Sequence, residues 1–424
     1  MIDKFNLLKN IRFSIISFSI NIVLIFVSYR MVIHYNGIEG LGLWSLLMAW
    51  ASLIRMGDIG MGGAIVRFIS MRDLNKEREE IAQYIDTGLI MNFMMFLMLT
   101  LAGYLILELN LSNIVDKEYY IIATNILPIL FMGIFFATLF TILISSLQGL
   151  HVGYIGSYIT VIGSLIQLLF VFILVPKIGV LGLVWAQLLQ YIIVTIIAFF
   201  FVKNKIGIKR VLQFNFSWIK LKEMFSFSMK AQVANIINGL FEPLSKILIS
   251  QFGGLASQGL YELAYKTVSL ARNTIVTGLF ASLPTLTNLM NTNLNEAKSF
   301  YKKSQKYVIK AISIVLFLVI ILSPFISIVW IGKFEMEYWY FVLFISIGFW
   351  INTMGATAYN IGMATGKMRN NILSSIFMIS SLLIFGYILG NIFTQIGVVI
   401  AVGISLTFSG LLIKKLNERM MNER

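Results

Sequence analysis

The sequence predicts an all-α integral membrane protein with about twelve transmembrane helices, in two six-helix bundles related by a pseudo-twofold axis along the membrane normal. Three observations carry the prediction. Apolar stretches of spanning length recur along all 424 residues, Lys and Arg fall almost wholly on one side of them, and the second half of the chain repeats the first. The chain is 58% hydrophobic and 12% charged, with mean hydropathy +0.86, whereas soluble chains are about 25% charged. A bilayer core of about 30 Å needs about 20 apolar residues in a helix. The short alternating segments of a β-barrel are missing.

In chain order the spans are 11–33, 41–69, 84–108, 119–148, 154–175, 180–202, 223–251, 258–286, 306–331, 339–364, 371–391 and 395–413. The basic start, MIDKFNLLKNIRF, leads into a span-length stretch with no small-residue cleavage site, so the first helix is expected to stay uncleaved. No connection exceeds about 20 residues, which leaves no room for an attached soluble domain. Cysteine is absent, excluding disulfides and thiol chemistry. With both termini inside, 23 Lys and Arg lie in cytoplasmic segments and 3 (Lys117, Lys177, Lys333) lie outside. That bias sets the orientation and accounts for most of the +14 net charge. It is no nucleic-acid footprint, because the charges are scattered through short loops without a binding motif.

The repeat is clearest in GLWSLLMAWASLIR (42–55) against GLYELAYKTVSLAR (259–272), displaced by 217 residues with six of fourteen positions identical. The same displacement pairs Gly149 with Gly366, and a displacement of 218 pairs KIGV (177–180) with QIGV (395–398). Each half holds six spans and enters from the same side. The expected organisation is therefore an N-terminal bundle (1–202), a basic cytoplasmic linker (203–222) and a C-terminal bundle with a short basic tail (223–424), with a site near the midplane between parallel repeats. The register equates Arg55 with Arg272 and Ser52 with Ser269, and places each pair at equal depth.

Seven basic residues lie within spans: Arg30, Arg55, Arg67, Lys230, Lys246, Lys266 and Arg272. A charge at helix centre costs about 2.5–3.5 kcal/mol on insertion scales, so such groups face a bundle interior or a watery cavity. Arg55 lies roughly 20 Å from the outer end of its helix at 1.5 Å per residue. Asp58 follows it by three, the spacing of a same-face pair. Two readings stand, a neutralised structural pair and an anion-binding arginine poised by a carboxylate.

Gln258, Glu262, Tyr265, Ser269 and Arg272 recur at helical spacing and form a polar stripe of the kind that lines a cavity. Lys266, four residues after Glu262, is a candidate ion-pair partner for it. Glu242 and Lys246 also lie four apart, around Pro243, which removes a backbone hydrogen bond in mid-span. A hinge or ligand contact and a buried structural pair are equally open there. Arg30, Arg67 and Lys230 lie near helix ends, within reach of the interface by snorkelling. On helix one, Asn10, Ser14, Ser17, Asn21 and Ser28 follow helical spacing, as helix-packing residues do.

Other motifs fail. GDIGMGG (57–63) has the glycines of a phosphate loop but lies inside a span with no preceding strand, which favours close packing or a bend. His34 and His151 are the only histidines and are far apart. No metal cluster, Ser-His-Asp set or catalytic carboxylate pair emerges, so the chain is not read as an enzyme.

Four stretches then carry a resemblance: GIEGLGLWSLL (37–47), GDIGMGGAIVRF (57–68), SKILISQFGGLASQGLYELAYK (245–266) and ATGKMRNN (364–371). As an ordered set over essentially the whole chain they resemble the polysaccharide transporters, including O-antigen and capsule repeat-unit flippases, of the multidrug/oligosaccharidyl-lipid/polysaccharide exporter superfamily. Two departures fall on helix seven. FSFSMKAQ (225–232) lacks a proline common there, and Ser245 stands where an acidic residue is frequent.

The resemblance implies export of a polyprenyl-pyrophosphate-linked oligosaccharide by alternating access across a bacterial cytoplasmic (inner) membrane, by a multi-pass chain with both termini cytoplasmic. It implies as partners the lipid-linked oligosaccharide, membrane lipids and other polysaccharide-assembly proteins. It implies no cofactor, with coupling to protons, sodium or the membrane potential. Arg30, Arg55 and Arg272 occupy helices whose arginines line the cavity in related flippases, and Lys246 and Lys266 join them as candidate substrate cations. Asp58, Glu242 and Glu262 are the coupling candidates, and Gln258, Glu262, Tyr265, Ser269 and Ser52 the polar lining. A drug or cation exporter of the same superfamily is the nearest alternative. A membrane enzyme of polysaccharide assembly is a more distant one. The excess of basic over acidic residues in the spans favours an anionic substrate.

Overall fold

The computed structural model describes residues 4–57, 60–74, 76–207, 215–280 and 282–423, with backbone alone for 4–15, 227, 229–235 and 422. Asp58, the loop bases Lys209 and Arg210, and the side chains of Asn10, Ser14 and Lys230 lie outside the described residues. The described chain is all helix: α1 (Lys4–Arg55), α2 (Met61–Ser70), α3 (Arg78–Ile114), α4 (Tyr120–Gly149), α5 (Gly153–Ile178), α6 (Val180–Ile206), α7 (Trp218–Phe280), α8 (Leu283–Thr292), α9 (Leu294–Ile331), α10 (Met336–Met354), α11 (Ala356–Thr365) and α12 (Arg369–Asn422).

These are not one helix per span. Helices α1, α7 and α12 each hold two spans joined at a single non-helical residue, Gly37, Gly254 and Thr394. Helices α2, α8 and α11 continue spans two, eight and ten beyond a break. Twelve spans result, six in each half, and the expected loops at 34–40, 252–257 and 392–394 shrink to one residue each. Span two, expected as one helix over 41–69, is interrupted: α1 stops at Arg55 and α2 begins after Gly60, which is left-handed at φ 72°. Within GDIGMGG, Gly60 thus serves the break and Gly62 a close approach to Ser145, the two structural alternatives for that motif.

The chain forms two compact units, Met1–Gly37 with Trp50–Gln232, and Ile38–Ala49 with Val233–Arg424. In the first, α4 packs against α2, α3, α5 and α6 around a core that includes Met61, Ile65, Ile85, Leu147, Val194 and Val202. The first turns of α7 complete that core with Leu221 and Met224. A polar clasp holds them in place: Glu80 receives Arg72 at 2.8 Å and Lys220 at 3.0 Å. Tyr84 donates to Glu223 at 2.5 Å, and both cations lie over its ring.

In the second unit α12 packs along α10 and α11. The seam is made by glycines seven residues apart: a Cβ on Gly348 or Gly355 would strike the backbone of Gly403 or Gly410. Between membrane helices, where water supplies no drive to associate, such small residues permit the close approach that dispersion needs.

The repeat survives as conformation. Gly37 (φ 70°, ψ −180°) and Gly254 (φ 68°, ψ −171°) make the same turn 217 residues apart. Elsewhere the register differs from that read in the letters. The left-handed partner of Gly366 is His151, not Gly149, and Gly179 (φ 60°, ψ −137°) is matched by Thr394 (φ 54°, ψ −136°), not by Gly397. Both pairs are 215 apart, so about two residues of the first half have no counterpart in the second.

The second unit also contains a local twofold arrangement. A Cβ on Gly42 would overlap the Leu255 carbonyl, and one on Gly259 would overlap the Ile38 carbonyl. With 38 equivalent to 255 and 42 to 259, each contact is the other's image, the signature of an isologous packing. Ser45 and Glu262, also 217 apart, meet on this local axis at 2.6 Å.

Candidate functional site

The polar stripe of span eight divides between two environments of the second unit. Its outer part is packed away. Gln258 and Glu262 are buried; Gln258 donates to the Ser45 hydroxyl at 3.0 Å, and Ser45 donates to Glu262 at 2.6 Å. Lys246, also buried, reaches Glu262 and Glu242 at 2.7 Å each. The pair expected between Glu262 and Lys266 is therefore not formed. Lys246, coming from the facing helix, takes that carboxylate, and half-buried Lys266 has no ion pair among the described residues. The pair Glu242–Lys246 is made as their spacing allows. Tyr261 donates to Ser245, which donates to the Glu242 carbonyl, closing the network from the other side.

The inner part opens into a cavity of about 510 Å³ within the second unit, inside the about 300–1,000 Å³ range of ligand sites. Tyr265 and Arg272 line it, together with Glu242, Asn238, Phe349, Asn352, Tyr359 and Asn371, and with Ser374, Ser375 and Ser409 of α12. Ser269 does not line it; its hydroxyl bonds the Lys266 carbonyl of its own helix.

Arg272 is the cavity's distinctive group. Its Nε donates to Thr353 Oγ1 at 3.2 Å, one terminal nitrogen to Asn352 Oδ1 at 3.2 Å and the other to Asn273 Oδ1 at 3.4 Å. The guanidinium carbon sits 5.0 Å from the Phe349 ring centroid, a cation–π contact. Asn352 is itself fixed, its Nδ2 donating to the Leu406 carbonyl at 3.2 Å, so its oxygen is held toward the arginine. All these partners are neutral. They orient the guanidinium, and no carboxylate among the described residues pairs with it, whereas Glu242 shares the Lys246 ammonium with Glu262.

In the first unit Arg55 is exposed at the last turn of α1. There the unpaired carbonyls and the negative end of the helix dipole favour a cation. The early end of the helix is thus one reason this span tolerates an arginine; Asp58 lies outside the described residues. Ser52 and Arg30 are half-buried on the same helix. Span reading missed Asn238, Asn352, Thr353 and the α12 face. The signal was present: Asn371, Ser374, Ser375 and Met378 fall on one helix face.

A family model described as polysaccharide biosynthesis protein matches residues 7–290. No curated protein matches the chain. Among solved structures, it is similar to the inward-facing conformation of a multidrug resistance MATE family transporter of the MOP superfamily, with TM-score 0.85 and 14% identity over 97% of this chain and 98% of that one. It is also similar to a MOP superfamily transporter from Pyrococcus furiosus Vc1 (DSM3638), with TM-score 0.72 and 14% identity over 98% and 95%. An outward-facing MATE family transporter gives TM-score 0.69 and 14% identity over 98% and 96%. At these identities the structures establish the fold, and the matched residues, two thirds of the chain, establish the family. The chain belongs to the polysaccharide biosynthesis protein family, and its all-helical fold is that of the MOP superfamily transporters it is similar to.

Proposed function

We propose that this protein is a flippase, moving a polyprenyl-pyrophosphate-linked oligosaccharide repeat unit across the bacterial cytoplasmic membrane by alternating access, with both termini in the cytoplasm. One observation carries the reading: Arg272 presents to a cavity inside the second unit a preoriented guanidinium that pairs with no carboxylate among the described residues. Moving a bare pyrophosphate into a medium of low dielectric costs tens of kcal/mol on Born estimates. A fixed guanidinium offsets part of that cost and grips phosphate oxygens in bidentate fashion. Arg55, its counterpart in the repeat, is proposed to serve the first unit in the same way, with Arg30 and Lys266 as further cations near the path.

A cation exporter of the same fold is the competing reading, supported by the Glu242 carboxylate and the rings of Tyr265, Phe349 and Tyr359 on the cavity wall. We favour the anion reading because the Arg272 guanidinium pairs with no acid among the described residues, while Glu242 has Lys246, shared with Glu262, at 2.7 Å. For the Pyrococcus furiosus transporter, a reverse polarity of the binding pocket suggests a different function. The proposed cycle uses no cofactor and draws on protons, sodium or the membrane potential, with Asp58, Glu242 and Glu262 as coupling candidates. Its partners are the lipid-linked substrate, membrane lipids and other polysaccharide-assembly proteins. Deleting the gene tests the reading. Surface polysaccharide should disappear while lipid-linked repeat units accumulate in the cytoplasmic leaflet. Undiminished polysaccharide on the deleted cells would overturn it.

A further inference from the structure

The cavity wall carries two kinds of polar group. Arg272 and Glu242 are charged, and Asn238, Tyr359 and Ser375 add neutral donors and acceptors that bond one another. Asn238 is exposed, yet its amide is oriented. Its Oδ1 accepts from Ser375 at 2.6 Å and its Nδ2 donates to the Tyr359 hydroxyl at 3.5 Å.

That orientation is set from behind by a chain of buried amides. Asn417 donates to the Ala358 carbonyl at 2.8 Å and to Asn371 Oδ1 at 2.9 Å, and Asn371 donates to the Tyr359 carbonyl at 3.0 Å. An asparagine offers two donors and two lone pairs, so one Nδ2 hydrogen of Asn238 remains unspent. The Tyr359 hydroxyl accepts from Asn238 and keeps its own proton to give. One residue along, Gly239 also lines the cavity, and Pro243 lacks the N–H that would occupy the Gly239 carbonyl in a regular helix.

We infer that Asn238, Tyr359 and the Gly239 carbonyl form a sugar-reading subsite. It takes the hydroxyls of the glycan segment next to the phosphate and discriminates between repeat units, while Arg272 holds the anion common to all of them. This rests on the flippase reading. Three features support it. The groups alternate donor and acceptor without charge, which complements a polyhydroxylated ligand. Their orientation is preset by packing, so little entropy is lost on binding. The cavity, about 510 Å³, holds a short glycan segment and not a whole lipid-linked unit. A site built to hydrogen-bond a hydroxyl rejects partners lacking it far more strongly than an apolar pocket rejects a missing methylene, so these residues are placed to select.

The test uses cells lacking their own flippase, each carrying one of several repeat-unit assembly gene sets that differ in the sugar attached to pyrophosphate. Wild type, Asn238→Ser, Asn238→Leu and Arg272→Lys are supplied at matched membrane abundance, and surface polymer is measured. The Asn238 variants should change the ratio of export between repeat units by about tenfold or more, gained export of a rejected unit included. Arg272→Lys should lower every unit by a similar factor. If both Asn238 variants lower all units equally, or leave all unchanged, the subsite is overturned and the flippase reading stands. If wild type exports none of the units, the native one included, the flippase reading itself fails.

Discussion

Replacing Lys246 by Met should destabilise the second unit far more than replacing Glu242 by Gln, although both carboxylates lie 2.7 Å from the same ammonium. Burial separates them: the Glu262 side chain is 2% exposed and the Glu242 side chain 41%. Without Lys246, Glu262 loses the ammonium 2.7 Å away, and removing one partner of a buried ion pair costs about 3–5 kcal/mol. Glu242 is open to the cavity, so its loss costs about 0–1 kcal/mol, as for exposed pairs. Changing Lys246→Met together with Glu262→Leu should recover most of the loss, because apolar packing replaces a buried pair at little net cost. The assay is reversible unfolding in mixed micelles titrated with sodium dodecyl sulfate and followed by helical circular dichroism. The reasoning fails if Lys246→Met lies within about 1 kcal/mol of wild type, or if Glu242→Gln costs as much as Lys246→Met.

Three further outcomes follow from particular contacts. Gly42→Ala and Gly259→Ala should each cost about 1–3 kcal/mol through overpacking and should match one another, since their contacts are images; a large effect at one and none at the other would break the local twofold. Thr394→Gly should raise the unfolding midpoint, because a β-branched residue at φ 54° carries strain of order 1–3 kcal/mol that glycine avoids; an unchanged or lower midpoint counts against it. Glu80, in the first turn of α3 ahead of span three, is held down to about 2 by its hydrogen bonds from Arg72 and then Lys220. A depressed carboxylate contributes stability above its unfolded value of about 4.3, lost as pH falls toward the folded one. Stability should therefore decline from about pH 4.3 to about pH 2 with a component that Glu80→Gln removes, and identical profiles for the two proteins would exclude the clasp.

Apolar run length and charge bias made the twelve spans legible, because both follow from bilayer thickness and insertion. Span boundaries were less so. Nothing in the letters distinguishes Gly37, which turns the chain on one residue, from Gly42, which serves close packing. The repeat was visible in Gly42, Ser52 and Arg55, but its later register was not, since Thr394 occupies a left-handed position where glycine is the usual signal. Around Arg272, helical periodicity found the residues of its own helix. Partners from α10 and α12 were hidden, because Asn352 and Ser375 gain meaning only when packing brings them to the same cavity. Glu262 shows the opposite failure: spacing offered Lys266, and tertiary packing supplied Lys246.

Arg272 tests the central claim most directly. The purified protein is placed in vesicles with a fluorescent short-chain polyprenyl-pyrophosphate sugar in both leaflets, and a membrane-impermeant quencher is added outside. With wild type, fluorescence of the inner leaflet should be lost as substrate is flipped. Arg272→Ala should leave that inner half protected, and Arg272→Lys should give slower loss, since charge is kept and the bidentate geometry is not. Loss at the wild-type rate in Arg272→Ala, at equal protein incorporation, would contradict the account.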